Sequence, residues 1–322
     1  MMALFKLPRI AEIDGSTTGW GFFLCAQKDL RPTKAGGSYL ALVLQDVSGE
    51  IAAKIFDGAE QLDKQFNKGD FVKVSGRGNL YKNQLELVLE NIRKVNPAKD
   101  AADGFREEDC IPSAPRPIDE MWQELLGHVE RVRRPELRAL LDRILAKHGP
   151  KLKIWPAAVT VHHAYRGGLL EHVLKIIQVG TALADAYEVD RDLIIAGGIL
   201  HDLGKIEELT YEGAIGYSVE GNLVGHIAIG LGMLQEAARE DASFPDQLRL
   251  ELEHIVLSHH GARDKGSPVV PMTLEAFVFA ATDDLDAKMF QMRKHIADDS
   301  GDGAFTQFSK RLDRVLFKPP QA

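Results

Sequence analysis

The chain has 322 residues, of which 45% are hydrophobic and 27% are charged, and its formal net charge is −8. This composition excludes collagen-like, mucin-like and largely disordered sequences. At about 100–200 residues per domain, the length predicts two domains. The acidic excess lies after residue 95, and it does not exclude a nucleic-acid substrate, because carboxylates that hold divalent metal lose much of their local negative charge.

The chain shows no signal for export or for membrane insertion. Its N-terminus lacks an apolar leader stretch, and the longest apolar run with glycine, residues 193–200, is far shorter than the ~18 residues that span a bilayer. Cys25 and Cys110 are the only cysteines of the sequence, which predicts neither a disulfide framework nor a Cys-type zinc site. We therefore expect a reducing, cytoplasmic location.

Residues 20–95 alternate apolar and polar side chains with period two, which indicates β-strands. A turn at 46–50 joins two such runs into a predicted hairpin. Five strands with a helix between the third and the fourth are typical of a small all-β OB barrel. The clearest predicted segments are the strands 39–45, 51–56, 70–78 and 84–92 and the short helix 59–66.

The pattern changes after the barrel. Residues 96–117 are rich in proline, alanine and charge, without apolar periodicity, and we interpret them as a linker wrapped over a surface. From Ile118 onward the helical period prevails, interrupted by glycines, so the second domain is predicted to be nearly all helix. The predicted domains are thus 1–95, a nucleic-acid-binding OB-fold, and 118–322, an all-α domain.

Histidines and aspartates recur near helix ends or glycine breaks of the second domain. His201 and Asp202 close the apolar helix 193–200, and Gly204 follows them, so we expect both side chains to point from a buried support into a cleft. Imidazoles mixed with carboxylates favour octahedral Mn²⁺, Fe²⁺, Mg²⁺ or Zn²⁺. With Asp202 able to bridge, the set could hold two ions about 3.5–4 Å apart, which would activate a water beside a phosphoryl centre. The candidate ligands are His172, His201, Asp202, His226, His259, His260 and Asp283.

The motifs around these residues resemble the HD superfamily of metal phosphohydrolases. They are Gly168-Leu-Leu-Glu-His172, His201-Asp202-x-Gly-Lys205, Gly225-His226, Ser258-His259-His260-Gly261 and Asp283-Asp-Leu-Asp-Ala-Lys288. Residues 21–95 resemble OB modules of the anticodon-binding type, and the combination is similar to the YhaM-type 3'→5' exoribonucleases over nearly the whole chain. The cyclic-dinucleotide branch of the superfamily carries a Gly-Tyr-Pro element after its paired histidines, whereas this chain continues differently at 261–268, which disfavours that branch.

The resemblance implies roles for individual residues. It implies one ion held by His172, His201, Asp202 and Asp283, and a second held by His226, His259 and His260, with Asp202 bridging. Mn²⁺ is the favoured metal, with Mg²⁺, Fe²⁺, Co²⁺ or Zn²⁺ as alternatives. Lys205 would lie beside the metals and contact phosphate or protonate the leaving oxygen.

Further polar residues flank the candidate ligands. His162, His163, Tyr165 and Arg166 precede the first ligand and could hold the scissile phosphate or the terminal nucleotide. Asp286 lies one helical turn after Asp283 and could orient a histidine or accept a sugar hydroxyl. Isolated histidines are more often structural, which is our interpretation of His128, His148, His254 and His295.

The sequence offers two kinds of candidate nucleic-acid contacts. Phe22, Tyr39 and Tyr81 could stack on bases, although alternating aromatic residues in a barrel are equally often core. The basic stretch 131–153, which includes Arg131 and Arg134, is most simply a solvated helix face. Its alternative is an electrostatic track that carries a single strand from the barrel toward the metal centre.

Three hypotheses follow from the sequence. The leading one is a 3'→5' exoribonuclease that hydrolyses single-stranded RNA, or single-stranded DNA, to 5'-mononucleotides by two-metal catalysis, with no membrane partner and with homo-oligomerisation left open. The second is an HD-domain phosphodiesterase acting on a small nucleotide or cyclic dinucleotide, which progressive degradation from one end would exclude. The third is a single-strand-binding protein with a structural metal site, which tight binding without turnover would support.

Overall fold

The structure is a computed structural model that describes residues 5–33, 36–81, 84–159, 163–212 and 214–319. By their internal contacts, these residues form two units. Unit 1 comprises Met1–Pro115 together with Thr210–Gly216, and unit 2 comprises Arg116–Leu209 together with Tyr217–Ala322. The predicted domain boundaries at residues 95 and 117 stay a prediction.

Unit 1 contains a closed five-stranded barrel with the strand order β1-β2-β3-β5-β4. Strands β3 and β5 pair in parallel, and the other neighbours pair antiparallel. The short helix α1 (Ala59–Leu62) lies between β3 and β4 in the chain, which confirms the predicted OB fold. The strands are β1 (Thr18–Pro32), β2 (Ser38–Asp46), β3 (Gly49–Ile55), β4 (Phe71–Tyr81) and β5 (Gln84–Lys94).

The alternation seen in the sequence becomes the two faces of the barrel wall. Leu40, Leu42 and Leu44 of β2 point inward and are buried, and their partners across β3 are buried apolar residues as well. The side chains between them face outward and are less buried. Burial of this inner face provides the main free energy of folding of the barrel.

A second apolar cluster lies on the outside of the barrel, under the chain that leaves β5. Phe105 and Ile111 of that chain pack there against Phe22 and Leu24 of β1. This chain includes the short helix α2 (Pro97–Asp100), and its apolar side chains hold it against the barrel. Tyr211 of a small hairpin packs against the same cluster.

That hairpin is absent from the sequence-based prediction. It consists of β6 (Leu209–Glu212) and β7 (Ala214–Tyr217), where we expected only glycine breaks between helices. Four-residue strands are too short for a clear period-two pattern, and the signal was limited to Thr210 and the aromatic residues Tyr211 and Tyr217.

Unit 2 is helical, and it confirms the predicted helical domain. Helix α6 is the apolar centre of the unit, since nine of its residues are buried. Within the described ranges, no helix is both long and apolar enough to span a membrane. The helices are α3 (Ile118–Glu130), α4 (Pro135–Leu152), α5 (Gly168–Tyr187), α6 (Arg191–Leu200), α7 (Lys205–Glu208), α8 (Val219–Val224), α9 (His226–Arg239), α10 (Asp246–Ser258) and α11 (Leu274–Asp298).

Candidate metal centre

Three ligand candidates from separate helices of unit 2 converge in its interior. His172 lies on α5, His201 follows α6, and Asp283 lies on α11. Their donor atoms all lie within 4.8 Å of one another. The Nε2 atom of His172 is 3.2 Å from Nε2 of His201 and 3.3 Å from Oδ1 of Asp283. We call His172, His201 and Asp283 the inner group.

A second set of three histidines stands where α10 ends and α9 begins. His226 is the first residue of α9, and His259 and His260 follow α10 directly. One ring nitrogen of each lies within 4.8 Å of the others. We call His226, His259 and His260 the outer group.

Asp202 faces both groups with different oxygen atoms. Its Oδ2 is 3.5 Å from Nε2 of His172 and 3.4 Å from Nε2 of His201. Its Oδ1 is 3.5 Å from Nε2 of His226 and 3.8 Å from Nε2 of His259. A carboxylate placed in this way can bind one cation through each oxygen.

The two groups fit metal ions in their hydrogen bonding as well. Among the described residues, no hydrogen-bond partner reaches the buried atoms Asp202 Oδ1, His226 Nε2 and His259 Nε2. An unpaired buried polar atom costs roughly 1–3 kcal/mol, and three that face one space would be stabilised together by a cation. These unpartnered atoms, in a set of imidazole and carboxylate donors, therefore fit a divalent metal.

All five histidines of the two groups present the same ring atom to the centre. Each has its Nδ1 within hydrogen-bond distance of an oxygen acceptor, which requires Nδ1–H and leaves Nε2 as the atom that can bind a metal. Metal-binding histidines are held in this manner. The acceptors are Asp286 for His172 (2.9 Å), the Gly197 and Gly198 carbonyls for His201 (both 3.1 Å), Glu208 for His226 (3.1 Å), the Val256 carbonyl for His259 (2.7 Å) and the Lys265 carbonyl for His260 (3.1 Å).

Lys205 forms a buried ion pair with Asp202 beside the two groups. Its buried Nζ donates a hydrogen bond of 2.7 Å to Asp202 Oδ2. Burial favours a lower pKa of Lys205, but the charge of Asp202 and this hydrogen bond outweigh it and raise the pKa above its usual range. Burial likewise favours a higher pKa of Asp202, yet the charge of Lys205 helps to hold that pKa well below its usual value. Asp202 is therefore ionised and ready to bind a cation.

Gly204 allows the outer group to approach Asp202. A Cβ atom on Gly204 would lie 2.0 Å from the carbonyl oxygen of His226 and 2.6 Å from the amide nitrogen of Gly230, both on α9. The backbone of Gly204 does not itself require a glycine, since its φ of −59° is ordinary. The glycine is needed because the first turn of α9 packs directly against its backbone.

Comparison with known proteins agrees with this geometry. The family model of the HD domain matches residues 169–288, which contain all seven ligand candidates. The family model described as an OB-fold nucleic acid binding domain matches residues 26–95. The helical unit thus contains an HD domain, the domain of metal-dependent hydrolases.

Two curated relatives are similar over nearly their whole length. The 3'-5' exoribonuclease YhaM of Bacillus subtilis is 36% identical over 286 residues, which cover 88% of this chain and 89% of the relative. The 3'-5' exoribonuclease YhaM of Bacillus velezensis is 34% identical over 300 residues, which cover 92% and 94%. The chain belongs to the YhaM family. Among solved structures, the second OB-fold domain of replication protein A from Methanococcus maripaludis matches at 23% identity and a TM-score of 0.25, and the match covers 29% of this chain and 96% of that one.

His163 adjoins the inner group through Asp286, in a conformation rare for a residue other than glycine. Its φ is +52°, and its Nδ1 lies 2.8 Å from the Tyr165 hydroxyl and 3.0 Å from Glu171. Its Nε2 lies 3.5 Å from Asp286, the residue that also holds His172. Such a backbone persists only where surrounding contacts hold it, and the contacts of His163 with Tyr165, Glu171 and Asp286 do so here.

Two further residues, Arg166 and His162, were predicted to hold the scissile phosphate or the terminal nucleotide. Arg166 is half-buried beside Asp119, where it helps Lys153, the main influence, to lower the pKa of that carboxyl. His162 lies outside the described residues. The sequence did not point to Glu208, which orients His226, because the hairpin β6–β7 separates the two residues in the chain.

The candidate stacking residues of the barrel differ in exposure. Tyr39 stacks on Phe56, which is 49% exposed, with ring centroids 5.4 Å apart. Tyr81 is 54% exposed and has the Lys54 Nζ 5.2 Å from its ring centroid. Phe22, in contrast, is buried with its ring 5.2 Å from that of Phe105. This burial corrects the prediction for Phe22, because the chain that follows β5 covers the ring.

Much of the basic stretch 131–153 is engaged in ion pairs. Arg134 pairs with Asp190, the N-terminal cap of α6, so its charge contributes to the fold, and its contact with nucleic acid stays a prediction. Arg131 is exposed. Three lysines have acidic partners from other segments, namely Lys147 with Glu236, Lys151 with Glu207 and Lys153 with Asp119.

Proposed function

We propose that this chain is a 3'→5' exoribonuclease that hydrolyses the terminal phosphodiester of single-stranded RNA and releases 5'-mononucleotides. The observation that carries the proposal is Asp202, whose two oxygens face the inner and the outer group in a chain of the YhaM family. Residues 1–95 would bind the strand, and residues 118–322 would hydrolyse it.

The seven ligand candidates would hold two ions. His172, His201 and Asp283 would bind one, the outer group would bind the other, and Asp202 would bind both. Mn²⁺ suits this set of imidazole and carboxylate donors. When bound, the ions supply a hydroxide nucleophile at neutral pH and stabilise charge on the phosphoryl oxygens.

The chain's own residues position the reaction. The oxygen acceptors of the five Nδ1 atoms keep the ligands oriented without reorganisation. Lys205 is fixed by Asp202 and would contact a phosphate oxygen or donate its proton to the leaving oxygen. His163, next to Asp286, and Arg166 would bind the terminal nucleotide.

The barrel would hold the rest of the strand. Tyr39, Phe56 and Tyr81 offer partly exposed aromatic faces on its outside, and Lys54 adds positive charge beside Tyr81. Bases stack on such faces with little dependence on sequence, as a nuclease that degrades any strand requires.

A time course on 5'-labelled single-stranded RNA and DNA of equal sequence, with Mn²⁺, tests the proposal. We expect a descending ladder on RNA, which Asp202→Ala abolishes. The matched control is Asp298→Ala, since Asp298 is exposed on the same helix as Asp283 and forms a surface ion pair with Lys294. If the intact chain cleaved neither strand, the exonuclease assignment would be wrong. Cleavage of DNA alone would show that RNA is not the substrate.

A further inference from the structure

Arg143, in the middle of the basic stretch, has no acceptor for one edge of its guanidinium. Its Nε and Nη2 are buried, and within the described part of the chain neither has a hydrogen-bond partner. The neighbouring cations on α4 are satisfied, since Lys147 and Lys151 form ion pairs and Arg138 donates to the Glu130 carbonyl. Arg143 is thus the member of this stretch that the fold leaves unsatisfied.

The two unsatisfied nitrogens lie on the same edge of the guanidinium. Nε–H and one N–H of Nη2 point in parallel and match the two oxygens of a carboxylate or a phosphate. A buried donor pair without an acceptor costs folding free energy unless a ligand supplies the acceptor. The missing partner therefore has the chemistry of an oxyanion.

A cavity of about 390 Å³ adjoins Arg143, between α4 and α9. Ligand sites for small molecules begin at about 300 Å³. Ile144, Met233 and Ala237 form apolar parts of its wall, and the wall also includes His148 and Lys147, which is paired with Glu236. Met233 is seven residues beyond His226 on α9, about 10 Å along the helix, so the cavity is separate from the metal centre.

We propose that this cavity binds a small organic oxyanion, a phosphate or a carboxylate, through the Nε and Nη2 edge of Arg143. The apolar wall would hold the organic part of the ligand. Glu240 also lines the cavity, and its negative charge would limit the affinity. The proposal does not depend on the ribonuclease assignment.

Calorimetric titration of the full-length, EDTA-treated protein with phenyl phosphate and with benzoate tests the site. We expect Arg143→Met to weaken binding of at least one of the two by about tenfold or more, which is the loss of a bidentate charged contact. Arg143→Lys should also weaken binding, because a lysine ammonium cannot replace the two parallel N–H donors of the guanidinium. Glu240→Gln should strengthen it a few-fold, and Arg138→Met is the matched control that leaves it unchanged.

The result shows which oxyanion the site takes, because the two probes share their ring and differ in the charged group. Without ligand, Arg143→Met should resist urea at least as well as the unaltered chain, since it removes two buried N–H donors that lack an acceptor. The proposal is overturned if neither probe binds the unaltered chain, if Arg143→Met binds both equally well, or if the unliganded variant is clearly less stable.

Discussion

The inner and outer groups of the metal centre are built differently. His172 and His201 are 1% and 0% exposed, inside the helix packing of unit 2. In the outer group only His259 is buried to this degree, whereas His226 and His260 are partly exposed at a helix start and in a turn. The two histidines of the inner group are therefore held by the core of the unit, while Asp283 of that group is partly exposed like His226 and His260 of the outer group.

The two groups also differ in what orients their histidines. Helix α11 supplies Asp286 to the inner group, and helix α6 supplies its own carbonyls. The outer group depends on Glu208, which precedes the hairpin β6–β7, and on a carbonyl of the loop after α10. We therefore expect perturbation of the outer group to change metal binding with less effect on folding.

Gly204→Ala is the substitution that we expect to affect the outer group most strongly relative to the inner group. The added methyl would collide with the backbone of α9 and displace His226. We therefore expect loss of the outer ion and at least a hundredfold loss of ribonuclease activity. The free energy of unfolding should fall by about 1–3 kcal/mol. Activity, bound metal and urea unfolding measure these effects. Gly232→Ala on the same helix is the control, because a Cβ there meets nothing within 4 Å; equal behaviour of the two variants would refute the packing argument.

Glu208→Gln and Asp286→Asn should each weaken metal binding at one of the two groups, with a smaller effect than Gly204→Ala. Each removes a carboxylate that orients one histidine, so each should weaken one ion by about 10–100-fold while the other stays bound. Metal titration followed by calorimetry distinguishes the two sites. If Glu208→Gln weakened both ions equally, the outer group would not be an independent site.

The smallest expected effect lies in the barrel. Phe56→Ala should weaken RNA binding about fivefold, the low end of base stacking at ~1 kcal/mol, because Tyr39 still offers its ring. Hydrolysis of a small phosphodiester that does not reach the barrel should be unchanged. Leu80→Ala serves as the control, since Leu80 is an exposed aliphatic residue of the same barrel; an equal effect there would contradict the stacking role.

The sequence predicted the parts of this molecule that local patterns encode. The barrel follows from the period-two strands, and the ligand candidates follow from His and Asp near helix ends or glycine breaks, with Asp283 on a later helix. The structure brings all seven together and places Asp283 in the middle of α11. The sequence did not reveal contacts made between distant segments. The burial of Phe22 depends on the chain after β5, and the role of Glu208 depends on the folding of a hairpin between it and His226.

The most direct test of the account is the number of Mn²⁺ ions bound per chain. We predict two ions for the unaltered chain, one for His226→Ala, and weakened binding of both for Asp202→Asn, since Asp202 faces both groups. Equilibrium dialysis with elemental analysis gives these numbers. A single ion in the unaltered chain, or two in His226→Ala, would contradict the two-ion centre.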